Sequence, residues 1–398
     1  MIIVITNRKL PVIPTNQAES IAVPSLGEDL AQRTAAEDII YSGLLNDADN
    51  TILFQPKGSE SALFDNISEA ELAKPWVFFV HGFNQDPQSN IDKARALSNN
   101  HHVNVIAFAW PSHPLDFAMD WDDARQVVIK GLLNGLSGSA IIGKLLMQKA
   151  KSYLKDKWKN YPPAIKNAEN SNVDILAALT LIDTHLNCIN PPVLLIHSMG
   201  NYLLQNTMKS TRSLPMSFSN IILHQADATS PGYDWVQQLN ANLTVTAKLY
   251  ITINAADFVL GASTMRRTIL RKEHVERIGQ VRMNHLPGDI HYLDFTDGEW
   301  VDNEHEFFQL SKYDTNDFVF DVLDRILKGE SDKLPTENNQ SNVGFSKMPT
   351  NVSLCCLEDI IHPADADEVE DDILPVKSLD LFNQQLAEVN RDYSEEEA

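Results

Sequence analysis

Short runs of β-branched and aromatic residues recur along the chain, separated by longer stretches whose apolar positions follow helical spacing. Eight of these runs read as strands, at residues 1–6, 51–55, 76–80, 103–109, 193–197, 220–224, 248–253 and 290–294. In Val77-Phe78-Phe79-Val80 and Val193-Leu194-Leu195-Ile196 every position is apolar, as expected of strands covered on both faces. Intervals such as 202–209 and 233–239 read as helices, and 318–327 as a closing helix. This alternation predicts an α/β protein: a mostly parallel central sheet with helices on both faces.

One interval is too long for a single crossover. About eighty residues separate Trp110 from Pro191. They include 140–158, with Ile141, Ile142, Leu145, Leu146 and Tyr153 at helical spacing, and 164–186. The pattern predicts a helical insertion over about 111–190, capping the sheet edge; longer crossover helices are the alternative. After Leu327 the sequence turns polar, so a domain over 1–330 is followed by a C-terminal extension over 331–398, first polar, then acidic and mobile.

Charge sharpens that division. The 398 residues carry a formal charge of −22, and from Glu358 onward 14 acidic residues face two basic ones, which accounts for −12 of it. Such a balance repels nucleic-acid backbones and argues against sequence-independent nucleic-acid binding. The acidic tail could still engage a protein partner, although a solubilising role is the simpler expectation. Three cysteines, Cys188, Cys355 and Cys356, form no disulfide framework and suit a reducing, cytoplasmic setting. The apolar N-terminal run has its charges Arg8 and Lys9 after it and reads as a strand, not a signal peptide. No apolar stretch approaches the ~18 residues of a membrane span.

The chemistry concentrates where strands end. At Val193-Leu194-Leu195-Ile196-His197-Ser198-Met199-Gly200-Asn201 a buried strand runs into His-Ser-Met-Gly and a helix begins at once. A sharp strand-to-helix turn of this kind lifts a serine hydroxyl above a sheet, with the amide of Met199 placed toward an oxyanion. Here the chain resembles the α/β-hydrolase superfamily, in particular uncharacterised bacterial serine hydrolases with a His-Ser-Met-Gly-Asn nucleophile elbow. Ile196 stands where the G-x-S-x-G pattern has its first glycine, so a turn of slightly different geometry is expected.

Three further segments extend the resemblance over roughly 50–330. Trp76-Val77-Phe78-Phe79-Val80-His81-Gly82-Phe83 ends in His-Gly, where the superfamily places its second oxyanion donor, here the amide of Phe83. His81 is assigned a supporting role. Asp257 follows the strand 248–253 and occupies the place of the triad carboxylate, with Asp227 after the preceding strand as its rival and an N-cap as the structural alternative. His305, after the last strand, lies where the general base sits, with His291 and His285 as alternatives. Ser198, Asp257 and His305 follow the Ser, Asp, His order of α/β-hydrolases.

The resemblance implies an α/β-hydrolase fold and a serine hydrolase that cleaves an ester or related small-molecule acyl substrate through an acyl-enzyme. The alternative is a non-catalytic binding or scaffold protein that keeps the fold and uses the acidic tail. Trp110-Pro111-Ser112 and Asp120-Trp121-Asp122 resemble the same bacterial group and are expected to shape a pocket, with Phe83. No phosphate loop appears, since the glycines of 131–138 interrupt helical segments. No cofactor or metal is expected, and His101 and His102, without ligand spacing, are expected in a surface turn.

Overall fold

The computed structural model describes residues 1–32, 40–112, 161–229, 234–254, 257, 259–260, 263, 277–280, 290–295, 305–311 and 317–331, together with the backbone of 353–356. The expected segments 120–125, 131–138 and 140–158, the acidic tail, His285 and Trp121 lie outside the described residues.

The strands are β1 (Ile2–Thr6), β2 (Glu19–Ala22), β3 (Tyr41–Asn46), β4 (Thr51–Phe54), β5 (Trp76–Val80), β6 (Asn104–Ala109), β7 (Val193–His197), β8 (Phe218–His224), β9 (Leu243–Ile253), β10 (Ile290–Asp294) and β11 (Ser353–Cys356). They form one sheet in the order β11-β10-β9-β8-β7-β5-β6-β1-β3-β4-β2. From β10 to β1 every neighbouring pair is parallel. Antiparallel strands close both edges, β3-β4-β2 beyond β1 and β11 beyond β10. The chain is an α/β protein with a mostly parallel sheet. Strand β11 places a short piece of the polar C-terminal extension in the sheet, and the compact unit runs from Met1 to Leu357.

Alternation of side chains explains why the central strands are apolar at every position. In β5, Trp76, Phe78 and Val80 join one core while Val77 and Phe79 join the other; in β7, Leu194 and Ile196 oppose Val193 and Leu195. The helices are α1 (Ala62–Asp65), α2 (Glu69–Leu72), α3 (Pro87–His101), α4 (Tyr161–Asn170), α5 (Asn172–His185), α6 (Gly200–Ser210), α7 (Asp234–Leu239) and α8 (Asp317–Leu327). Helices α4 to α7 cover the first core, through residues such as Ala164, Ile175, Leu203 and Val236. On the other face, α3 and α8 contribute Ile91, Ala94, Leu97, Val319 and Val322. The described part of the long interval packs on the sheet face and against α6.

Helix α3 also corrects an expectation. Its N-cap Asp86 accepts a hydrogen bond from the Ser89 amide at 2.6 Å, with Pro87 in the first turn. Its inward positions Ile91, Ala94 and Leu97 continue to His101, which is buried and lies 3.2 Å from both Asp324 Oδ1 and the Phe308 carbonyl. Only His102, in the left-handed conformation at φ 54°, is exposed. His101 is thus a core residue and not part of a surface turn.

Strand order reverses around β5: β6 lies on one side of it and β7 on the other. In open α/β sheets the crevice outside the carboxyl ends at such a reversal is where ligands bind. Gly82 and Phe83 follow β5, and Ser198 follows β7.

Candidate active site

Ser198 occupies a left-handed backbone conformation, φ 52°, between β7 and α6. A non-glycine residue pays for that conformation in strain, so the surroundings must hold it there. They do so with hydrogen bonds: the Ser198 amide donates to the His224 carbonyl at 3.0 Å, and its own carbonyl accepts from the amides of Asn201 (3.0 Å) and Asp227 (3.1 Å). The buried Asn201 side chain donates to the carbonyls of Ile196 (3.0 Å) and Ser198 (3.1 Å). Asn84 after β5 (φ 60°) and Gln225 after β8 (φ 43°) share the left-handed conformation, so three neighbouring strands end in strained turns.

Two glycines let these turns close on one another. A Cβ on Gly82 would lie 2.6 Å from Ser198 Cβ, and one on Gly200 would lie 2.8 Å from the His81 carbonyl. Ile196 is fully buried in the first core, in register with Val80 of β5 and Leu223 of β8. The amides of Phe83 and Met199 have no acceptor among the described residues, and Met199 caps α6 at its positive end.

Asp257 and His305 come together from separate loops. His305 Nδ1 lies 2.5 Å from Asp257 Oδ2, while Asp257 Oδ1 accepts from the Leu260 amide at 3.0 Å. The carboxylate thus caps a local turn and holds the imidazole at once. Burial works against a charged His305, but the charge and hydrogen bond of Asp257, with Glu306 and Asp227 further off, outweigh it and raise its pKa above the usual 6.5. With Nδ1–H given to the carboxylate, the lone pair sits on Nε2, which is buried and has no hydrogen-bond partner among the described residues.

Asp227 is engaged elsewhere. Its oxygens accept from Ser263 Oγ (2.9 Å) and the Tyr161 hydroxyl (3.0 Å), and Arg277 Nε lies 3.0 Å away. Tyr161 in turn meets the ring of Phe83 edge-on at 5.2 Å. His291 lies in β10 beside Tyr250, with ring centroids 5.6 Å apart.

Arg8 and Lys93 support the site without having been named for it from the sequence, whereas Trp110 and Ser112 belong to the turn expected to shape a pocket. Arg8, buried just past β1, donates to the Gln85 carbonyl at 2.9 Å and pairs with Glu28. Ser112 accepts from the Gln85 amide at 3.0 Å, and Trp110 Nε1 donates to the His81 carbonyl at 2.9 Å. Together they brace the loop after β5, so Trp110-Pro111-Ser112 acts through that loop. The buried Lys93 of α3 forms an ion pair with the half-buried Glu306, the neighbour of His305. An arginine two residues past the apolar strand β1 was the visible signal for Arg8.

A hollow of about 570 Å³ lies on the outer side of α5 by Ile40 and Glu60; its walls contain none of Ser198, Asp257 or His305. Among the described residues no group of His, Cys, Asp or Glu is arranged to hold a metal, and no helix is long and apolar enough to cross a membrane. Compared with protein-family models, curated proteins and solved structures, the chain matches none.

Proposed function

We propose that this chain is a serine hydrolase of α/β-hydrolase type that cleaves an ester or related acyl substrate through an acyl-enzyme. The observation that carries this reading is the Asp257–His305 contact, which leaves Nε2 of His305 as an unpartnered base, combined with a serine held at φ 52° on the neighbouring turn. His305 Nε2 has no hydrogen-bond partner among the described residues and makes no hydrogen bond to Ser198 Oγ there, so the proposed attack requires the two atoms to approach when substrate binds.

In this mechanism His305 Nε2 takes the Ser198 proton as Oγ attacks the carbonyl carbon. The carbonyl π-bond breaks, and its oxygen gathers negative charge facing the amides of Phe83 and Met199. Collapse expels the alcohol or related leaving group, which receives the proton from His305. Water, deprotonated by the same nitrogen, then releases the acid. Asp257 keeps the proton on Nδ1 and stabilises the charged ring in both halves.

A fluorophosphonate probe tests this directly. It should label the folded wild-type protein at Ser198, and Ser198→Ala should abolish both labelling and hydrolysis of short acyl esters. Equal behaviour of wild type and Ser198→Ala would reject the reading and favour a non-catalytic protein on the same scaffold.

A further inference from the structure

We propose that His197 is a positioning residue whose ring ties the main chain of His305 to the turn that carries Ser198, so that base and nucleophile are held as one unit. The proposal rests on the hydrolase reading above.

Side-chain alternation sets the direction of His197. Ile196 enters the first core, so the next residue of β7 faces the other layer, where Phe307 and Phe308 are buried. There His197 Nε2 lies 2.9 Å from the carbonyl oxygen of His305, a contact between residues 108 apart in sequence. A carbonyl oxygen only accepts, so Nε2 carries the proton and Nδ1 the lone pair. The His197 ring is packed on His305 and Phe308, with centroids 4.8 Å and 5.0 Å away. Its opposite edge faces the loop after β5: the place that a Cβ on Gly82 would take is 3.3 Å from His197 Nδ1. One planar side chain therefore spans from the segment of Gly82 and Phe83 to the segment of His305.

Three ties then fix the His305 segment. Asp257 holds its ring, His197 holds its carbonyl, and Lys93 holds the adjacent Glu306. The ring contact alone leaves the backbone free to shift, and a displacement of about 1 Å in a catalytic group costs roughly 100-fold in rate. Histidine suits the task because it is stiff, donates from Nε2 and stays neutral. Burial, with the charges of His305, Lys93 and His224 adding to it, holds its pKa well below 6.5. A neutral neighbour adds no repulsion when His305 becomes charged, whereas an apolar residue would leave the buried carbonyl unpaired.

The test uses the full chain with His197→Phe, which keeps a packed ring without the donor, and His197→Gln, which restores a donor. Two quantities are read: kcat and KM for a short acyl ester, and the pKa of His305 from its imidazole NMR signal. His305 is faced by Asp257, Glu306 and Asp227, and by His197, His224 and Lys93, so loosening its hold on Asp257 should move that pKa down. His197→Phe is expected to lower kcat by roughly 10- to 100-fold with KM changed less than about threefold. His197→Gln should recover much of that loss. Unchanged kcat and unchanged His305 pKa in folded His197→Phe, with only a lower Tm, would overturn the proposal. If that variant does not fold, the wild-type nitrogen NMR spectrum decides: His197 must be the Nε2–H tautomer, and an Nδ1–H or charged ring refutes it. The NMR readouts need no turnover. Failure of the probe to label wild-type Ser198 would therefore reject the hydrolase reading while the tie between His197 and His305 is still measured.

Discussion

At the scale of single residues, the site turns on how Asp257 divides its two oxygens between His305 and the Leu260 amide. Replacing it by asparagine keeps the size and removes the charge. Burial then dominates the titration of His305, so its pKa should drop from above 6.5 to below it, and the acidic limb of the kcat/KM profile should move to lower pH. Asparagine can also present N–H to Nδ1 and favour the wrong tautomer, so kcat should fall by about 10⁴. A pH–rate series on Asp257→Asn checks both effects, and an acidic limb that stays in place would mean that another group sets it. Ser198, Asp257 and His305 could be named as candidates because each follows a strand-like run in a fixed chain order, and the contact between Asp257 and His305 joins two of them. The ties that orient them were not. His197 to His305 spans 108 residues, Lys93 to Glu306 spans 213 and Arg8 to Gln85 spans 77, and only the folded sheet brings such distant segments together.

At the scale of elements, strand ends and glycines set the geometry. Helix α6 can start directly after Ser198 because Gly200 sits against the end of β5, and the loop after β5 can reach the serine because Gly82 has no side chain. Gly82→Ala would push a methyl group into Ser198, and Gly200→Ala would push one against the carbonyls of His81 and Val80, which a rigid backbone cannot yield. Each should destabilise the fold by about 1–3 kcal/mol in urea titration. Gly82→Ala should also lose probe labelling at temperatures where it remains folded; full labelling would show that the two turns are looser than drawn. The buried central strands were readable to the residue at β5 and β7, since apolar runs admit few other fates in a chain of alternating elements, and β10, Ile-His-Tyr-Leu-Asp, was readable from its alternating apolar positions. The antiparallel edge was harder to read. Strand β4 was visible, but β3 contains Gly43 and exposes Leu44, whose partner in β4 is the exposed Leu53, and β2 buries only Ile21. One covered face gives a weaker pattern than two. Strand β11 lies within a polar stretch and is defined by its pairing with β10.

At the scale of the whole molecule, the acid–base balance of the interior predicts how stability varies with pH. His81, His197 and His224 are buried, and burial, reinforced by Arg8 and Lys93 near His81, by His305, Lys93 and His224 near His197, and by His305 near His224, holds all three pKa values well below 6.5. Below pH 6.5 the unfolded chain takes up protons at these positions that the native state refuses, so stability falls as pH falls. Each such histidine contributes about 1.4 kcal/mol per pH unit, and three together about 4 kcal/mol per unit, until the folded-state values are reached. His305 has the opposite sign. Its pKa is raised, so the stability it adds is complete below pH 6.5 and is lost as pH rises through the folded-state value. Above neutrality the Met1 ammonium, whose pKa burial lowers from 8.0, opposes the His305 effect, so the change there is small and the steep decline, of about three protons, lies on the acid side. Urea unfolding between pH 5.5 and 8 measures both slopes. His224→Gln should remove close to one proton from the acidic slope and leave the alkaline one in place. A flat profile between pH 5.5 and 6.5 would mean that these imidazoles accept protons in the native state, and the sealed, neutral interior beneath Ser198 would have to be abandoned.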